Sequence, residues 1–188
     1  SESMSNLTNW TARGTCILFG DGAGAAVIQA GEGTFYTPAT HSEGTKGEAL
    51  TCRSRHDESR LSDAIRQYPK EAYQMQMDGR AVFQFAVKKV PDVIREVLEK
   101  NEVGKEEIDW YILHQANQRI VEGAAKRLKE PLEKFPMNLK EYGNTSSASI
   151  PILLDEMKKD GRLKSGQKVI MAGFGAGLTW GASLLEWK

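Results

Sequence analysis

The chain has 188 residues, enough for one compact domain with a buried core, and its 25 basic side chains balance 25 acidic ones. A net charge of zero argues against binding a polyanion such as nucleic acid through bulk charge. No apolar run is long enough to span a bilayer, and two cysteines cannot build a disulfide framework or a structural zinc site. We therefore expect a cytoplasmic protein without a metal. The length predicts a single domain over residues 1–188.

The chain opens on Ser1 rather than Met, and its first residues have neither the basic start nor the apolar stretch of a signal peptide. We therefore expect a piece of a longer protein. Processing, proteolysis and truncation would all leave such a sequence, and the residues do not choose among them.

Two β-rich runs flank a glycine-rich turn near the start of the chain. Residues 15–19 and 25–29 surround GDGAG at 20–24, a pattern that predicts two tightly joined strands. The turn lacks GxGxxG spacing and precedes a predicted strand, so nucleotide-phosphate binding is not expected. The stretch that follows is rich in Gly, Ser and Thr and too long for a simple connection. We interpret residues 42–76 as a functional, lid-like loop.

Helical periodicity begins at Gly79, where apolar residues recur at three- and four-residue spacings as far as Leu98. Pro91 is expected to bend or divide this helix. Another amphipathic helix is predicted shortly after Asn144, behind several polar capping candidates, and should stop near Asp160.

The apolar run 110–113 predicts a short strand, which His114 follows directly. A helix comes next, with an apolar face made of Ile120, Ala124 and Leu128. The chain closes on two further β-rich runs around a glycine cluster at 173–177. Strands that alternate with amphipathic helices favour a layered α/β architecture over a helix bundle or a β-sandwich.

His114 is the strongest catalytic candidate because it lies between an apolar strand and a helix, at a sheet edge where side chains from several segments converge. A helix N-terminus keeps an imidazole neutral, and a neutral imidazole donates one hydrogen bond to a developing oxyanion while the protein holds its other nitrogen. The alternative is a structural or exposed histidine, which is our interpretation of His41 and His56.

Asn144 has two interpretations. It can be a helix cap or turn residue, or its carboxamide can donate a hydrogen bond to the same oxygen as His114 and stabilise an enolate without adding a formal charge. The glycines at 173, 175 and 177 also allow two interpretations, a hairpin turn or a close approach of backbone N–H groups to a ligand.

Basic residues are concentrated on the helix after His114, and they form either a solvated face or a dock for an acidic protein or a phosphate group. They are Arg119, Lys126, Arg127 and Lys129. Cys16 lies in a predicted strand, which indicates a buried structural thiol. Cys52 has His56 four residues on, and this spacing leaves a cysteine–histidine nucleophile open although nothing holds the pair in register.

Five segments in this order resemble the β-ketoacyl-acyl carrier protein synthase III family. They are FGDGAGA at 19–25, MDGRAVFQFAV at 77–87, HQANQRI at 114–120, YGNTSSASIP at 142–151 and GFGAGLTWGASL at 173–184. Chalcone synthases share a His, an Asn and a glycine-rich ending, but HQAN and GLTWG favour the synthase III branch. The resemblance implies the C-terminal half of a thiolase-like α/β/α fold, in which a five-stranded layered unit is duplicated.

The resemblance implies that His114 and Asn144 belong to a Cys-His-Asn triad whose cysteine precedes Ser1. Neither Cys16 nor Cys52 lies in a matching motif, so the chain alone should not catalyse condensation. In the family reaction an acyl group moves from acyl-CoA to the cysteine, malonyl-acyl carrier protein loses CO2, and the carbanion attacks the acyl-enzyme. No cofactor is implied beyond the CoA thioester substrates.

Further roles follow from the same resemblance. The backbone around Gly175 and Ala176 forms an oxyanion hole with the cysteine amide, and Phe174 lines the decarboxylation pocket. The pantetheine tunnel is bordered by Gly79, Phe83, Asn117 and Ile120, and the acidic carrier protein meets Arg119, Lys126 and Arg127. Many family members have Lys where this chain has Gln84, which removes one expected carrier contact.

The complete enzyme is expected to be a homodimer that begins fatty acid synthesis, with no nucleic-acid or membrane partner. Two other functions stay open: a synthase III-like enzyme of secondary metabolism that uses another starter, and a half that only binds CoA or carrier protein.

Overall fold

The computed structural model describes residues 1–52 and 73–188. Four strands in these ranges form one mixed sheet, and two short strands form a separate pair. The helices are α1 (Arg13–Cys16), α2 (Gly79–Lys100), α3 (Gln118–Leu128), α4 (Leu139–Tyr142) and α5 (Ser149–Lys159). The strands are β1 (Ala39–Ser42), β2 (Leu50–Thr51), β3 (Gln76–Met77), β4 (Trp110–Leu113), β5 (Lys168–Gly175) and β6 (Thr179–Glu186).

The main sheet has the order β1-β6-β5-β4. β4 runs parallel to β5, whereas β5 and β6 form an antiparallel hairpin and β1 adds an antiparallel edge. The predicted strand at 110–113 and the closing hairpin are confirmed. The described sheet has one strand fewer than the five that the resemblance implies for each half.

Helices cover both faces of the sheet. Alternate residues of β4 point to opposite sides, so Tyr111 packs with α2 and α3 while Ile112 packs with Leu153 and Met157 of α5. The predicted helix with Ile120, Ala124 and Leu128 on its apolar face is confirmed as α3, and all three side chains are buried. The layered α/β/α arrangement is therefore confirmed.

The long helix α2 begins where predicted, because the Asp78 carboxylate accepts hydrogen bonds from the backbone N–H groups of Arg80 and Ala81, each at 3.0 Å. Of the two effects expected of Pro91, a bend or a division, the division is wrong, since α2 continues over 22 residues. Pro91 is buried against the core, and this packing offsets the one backbone hydrogen bond that proline cannot donate.

The two strands predicted around GDGAG are not formed. Residues 13–16 make the short helix α1, and residues 25–30 have no regular structure, with Val27 and Ile28 97% and 94% exposed. An isolated strand needs a neighbour to satisfy its backbone, and no strand of the described ranges lies beside either run. Cys16 consequently lies in α1 and is only partly buried, so its assignment to a buried strand is also wrong.

The predicted loop at 42–76 contains some regular structure. A 3-10 segment runs from Gly44 to Ala49, and β2 pairs with β3 in an antiparallel register. Residues 53–72 lie outside the described residues, and with them His56 and part of the lid-like loop. In the part of the chain that the structure covers, no helix is long and apolar enough to cross a membrane.

Candidate active site

A cavity of about 310 Å³ opens where the ends of β4 and β5 meet the starts of α2 and α3. Nine residues that the sequence singled out line it together: Gly79, Phe83, His114, Asn117, Ile120, Asn144, Phe174, Gly175 and Ala176. Most of the remaining wall is apolar and includes Met4, Leu18, Met75 and Met77. None of the described residues that line the cavity is an Asp, Glu, Lys or Arg.

His114 lies at the carboxyl end of β4, where its backbone N–H donates to the Ala172 carbonyl of the parallel strand β5 at 2.8 Å. The Phe174 ring contacts the imidazole edge to face, with ring centroids 5.4 Å apart. Burial lowers the pKa of His114 from 6.5 to about 4, because the apolar surroundings disfavour the charged imidazolium. The imidazole is therefore neutral at physiological pH, as predicted.

The predicted cause of that neutrality is wrong. His114 does not begin a helix, since α3 starts at Gln118 and its N-cap is Asn117, whose side-chain oxygen accepts a hydrogen bond from the Arg119 N–H at 2.9 Å. Burial rather than a helix N-terminus keeps the ring uncharged.

Asn144 is held through its backbone and its side chain. Its N–H donates to the Leu18 carbonyl at 2.8 Å, and its carbonyl accepts from the Gly20 N–H at 2.9 Å. The side-chain oxygen accepts a hydrogen bond from the Ser146 N–H at 2.9 Å, within a turn where Ser146 has a φ of 51°. Asn144 is thus a turn residue that precedes the 3-10 segment before α5, and its amide NH2 remains available as a donor.

The predicted basic surface is exposed. Arg119, Lys126 and Arg127 are all accessible on α3, and the Arg119 guanidinium lies 5.1 Å from the centre of the Phe83 ring, which lines the cavity. Lys126 is seven residues further along the same helix, about 10 Å from Arg119 along the axis. The basic residues therefore extend from the cavity edge outward.

The structure also contains a site residue that the sequence does not single out, since Ser149 Oγ lies 2.7 Å from His114 Nδ1. Cys52, for which the sequence leaves a nucleophilic role open, lines the cavity with its thiol facing the Tyr73 carbonyl at 3.6 Å. The YGNTSSASIP segment contains several serines, and nothing in its spacing distinguishes Ser149 from the others. Over residues 1–52 and 73–188 no three His, Cys, Asp or Glu side chains are grouped so that they could hold a metal ion.

The low pKa of His114 predicts a dependence of stability on pH. Between pH 6.5 and about 4 the unfolded chain takes up a proton at His114 that the folded chain does not, so the free energy of unfolding falls as the pH falls through this window. The loss amounts to about 3 kcal/mol, at about 1.4 kcal/mol for each pH unit. Urea unfolding of the wild type and His114→Gln at pH 4, 5, 6 and 7 measures it, and equal slopes in both proteins would contradict the assignment.

A central sheet covered by helices on both faces, with a His and an Asn meeting a glycine turn at the strand ends, defines the thiolase-like class of fold. The solved structure of the 3-oxoacyl-acyl carrier protein synthase III of Aquifex aeolicus is similar, with 40% sequence identity and a TM-score of 0.85 over 98% of this chain and 55% of that chain. The enzyme of Pseudomonas aeruginosa gives a TM-score of 0.84 at 34% identity.

Two models of one family match the sequence. The model of the 3-oxoacyl-acyl carrier protein synthase III C terminal matches residues 98–187, and the synthase III model matches residues 1–44. The curated synthases III of Clostridium novyi and Microcystis aeruginosa are 45% and 43% identical over the whole chain. The chain belongs to the β-ketoacyl-acyl carrier protein synthase III family and spans 57% of the length of these relatives.

Proposed function

We propose that this chain supplies the decarboxylating part of a β-ketoacyl-acyl carrier protein synthase III, an acyltransferase that joins an acyl-CoA starter to malonyl-acyl carrier protein and so begins fatty acid synthesis. The observation that carries the proposal is the convergence of two neutral donors, His114 and Asn144, on a cavity whose described wall holds no charged side chain. This arrangement suits an oxyanion that forms and disappears within one catalytic cycle.

The proposed chemistry begins with the malonyl thioester carbonyl bound by the His114 and Asn144 side chains. The bond between the α-carbon and the carboxylate breaks, CO2 leaves, and the electron pair passes to an enolate whose oxygen both donors stabilise. Phe174 and the uncharged wall offer the malonyl carboxylate no cationic partner, which favours moving its charge to the thioester oxygen. The enolate carbon then attacks the acyl thioester and releases the cysteine thiolate. No step requires a cofactor.

The proposed nucleophilic cysteine lies in the part of the relatives' length that this chain does not match. Neither Cys16 nor Cys52 lies in the family's cysteine motif. The Ala176 N–H would complete an oxyanion hole with the amide of that cysteine, next to Gly175. Condensation therefore requires both parts, and we propose a homodimer for the complete enzyme.

The pantetheine arm of the substrate would lie along the cavity and leave it at the basic surface of α3. Gly79, Phe83, Asn117 and Ile120 lie in its wall, in positions to border a pantetheine arm. Arg119 lies beside Phe83, so an acidic carrier protein bound to Arg119, Lys126 and Arg127 would direct its arm into the cavity.

Reversal of the basic surface should weaken carrier binding selectively. In the Arg119→Glu/Lys126→Glu variant, we expect the KM for malonyl-acyl carrier protein to rise about 10-fold and the KM for malonyl-CoA to change less than about 2-fold. The matched control is Lys158→Glu/Lys164→Glu, which changes the net charge equally at exposed positions on and after α5, the helix that covers the other face of the sheet. Unchanged carrier kinetics would identify the basic residues of α3 as a solvated face.

The proposed function is tested with a chimera that joins this chain to the rest of the Clostridium novyi relative, whose matched part is 45% identical. We expect the chimera to release CO2 from malonyl-acyl carrier protein and to form a β-ketoacyl product when acyl-CoA is added, and the chain alone to form none. A chimera that folds but never releases CO2 would overturn the proposal. Binding of CoA or carrier protein without turnover would favour the function of a binding half.

A second candidate is a starter enzyme of secondary metabolism. It is favoured by the similarity to the priming β-ketosynthase of the R1128 polyketide pathway, with 28% identity and a TM-score of 0.80 over 98% of this chain. Competition between short straight-chain and other acyl-CoA starters in the chimera assay distinguishes the two, because a fatty acid enzyme should favour simple short-chain starters.

A further inference from the structure

The Nδ1 atom of His114 is bonded within the protein. The Ser149 hydroxyl oxygen lies 2.7 Å from it, and Ser149, the first residue of α5, is only 2% exposed. The backbone N–H of Gln115 points to the same hydroxyl oxygen from 3.3 Å, and Gln115 is fully buried. Ser149 Oγ therefore has two hydrogen-bond neighbours, His114 Nδ1 and the Gln115 N–H, and the N–H can act only as a donor.

A count of donors and acceptors decides where the hydroxyl proton goes. The Gln115 N–H occupies one lone pair of Ser149 Oγ, so the hydroxyl must accept there and needs an acceptor for its own proton. Among the residues that the structure describes, His114 Nδ1 is the one acceptor recorded for it. If Nδ1 carried a proton instead, Ser149 would accept two hydrogen bonds and its buried hydroxyl proton would have no partner, an arrangement that native proteins avoid.

We infer that Ser149 is a positioning residue that holds His114 as the tautomer protonated on Nε2, an inference that rests on the proposed decarboxylating role of His114. The free Nε2–H is then a donor. Asn144 also presents a donor, because its side-chain oxygen accepts a hydrogen bond from the Ser146 N–H and its NH2 group remains to donate. Two donors, and no acceptor, are thereby presented to the oxygen on which negative charge develops.

The tautomer is measured on the 188-residue chain with ¹⁵N-labelled histidine, using long-range ¹H–¹⁵N spectra at pH 7, with His114→Gln to assign the signals. We expect the wild type to show the Nε2–H form, Ser149→Ala to lose that preference, and Ser149→Thr to keep it because the hydroxyl remains. Ser147→Ala is the matched control, since Ser147 lies in the same serine-rich turn but bonds Glu2. An Nδ1–H form in the wild type, or an unchanged tautomer in Ser149→Ala, would overturn the inference.

The kinetic counterpart uses the chimera. Ser149→Ala should lower kcat for CO2 release about 10- to 100-fold with a KM within about 2-fold of the wild type. The Nε2–H bond gains most of its strength as charge develops on the oxygen, whereas the pantetheine and carrier contacts supply most of the substrate binding. Ser149→Thr should recover the rate, and should it fail to fold, the comparison of Ser149→Ala with Ser147→Ala decides. A changed tautomer with an unchanged kcat would overturn the positioning role. A wild-type chimera that holds the Nε2–H form but never releases CO2 would overturn the proposed function and leave the tautomer assignment standing.

Discussion

Replacement of His114 or Asn144 by alanine should nearly abolish CO2 release from a malonyl thioester and leave acyl transfer from acyl-CoA to the cysteine close to the wild-type rate. In the proposed mechanism each side chain is one of two donors that stabilise the enolate, and loss of one such donor costs about 10²- to 10³-fold in kcat. Acyl transfer is instead proposed to depend on the cysteine and on backbone N–H groups such as that of Ala176. The chimera allows both steps to be measured separately, as released CO2 and as labelled acyl-enzyme.

His41→Ala is the control for this experiment. His41 stacks on Trp180 and bonds Glu96, and it does not line the 310 Å³ cavity in which His114 and Asn144 meet. It borders, with His114, a second and more open cavity that Asn144 does not line. The double variant adds a further test, because residues that act on one oxygen as a unit give losses smaller than the product of the single losses. Equal losses in both steps would contradict the division of labour between the two donors and the cysteine.

Gly20→Ala should damage the site from outside the cavity. A Cβ at Gly20 would lie 2.1 Å from the backbone oxygen of Tyr142, much closer than any real contact, so the segment beside Asn144 must move. The hydrogen bond from the Gly20 N–H to the Asn144 carbonyl would be strained or lost. We expect the free energy of unfolding to fall by about 1–3 kcal/mol and kcat for CO2 release to fall about 100-fold, because a small displacement of a positioning element suffices for that loss.

Gly31→Ala is the matched control, since a Cβ at Gly31 has no atom within 4 Å among the described residues. Urea unfolding measures stability, and CO2 release by the chimera measures activity. A Gly20→Ala protein with wild-type activity would show that Asn144 does not depend on residues 18–20 for its position.

Helices and strands whose apolar periodicity shows which face packs on the core could be predicted from the sequence. The helix from Gly79 and the strand at 110–113 have clear apolar periodicity, and each packs on a core formed by neighbouring elements. The convergence of His114, Asn144 and the glycine turn was predictable from their places at element ends and from the family motifs. Their roles in catalysis remain predictions.

The wrong predictions share a physical cause. A local sequence pattern does not show which other segments of the chain will pack or pair with it. Residues 25–29 are β-rich, but a strand exists only when another strand satisfies its backbone, and the described part of the chain provides none for them. The pattern of GDGAG at 20–24 predicts a turn between strands. In the structure its glycines allow close packing on Tyr142 at the end of α4 and on Pro151 of α5.

Ser149 and the burial of His114 could not be predicted for a related reason. His114 and Ser149 are 35 residues apart, and their contact depends on how the end of β4 meets the start of α5. The sequence pattern attributes the neutral imidazole to a helix N-terminus, which the structure places four residues later, at Gln118. The charge state was right, but its cause is desolvation.

The most direct test of the account is a crystal structure of the chimera with a malonyl thioester analogue that cannot lose CO2. The proposed mechanism predicts that the thioester oxygen lies within hydrogen-bonding distance of both His114 Nε2 and Asn144 Nδ2, with the pantetheine arm passing Phe83 toward Arg119. An analogue bound with its thioester oxygen away from both side chains, or with its carboxylate held by a cationic residue, would contradict it.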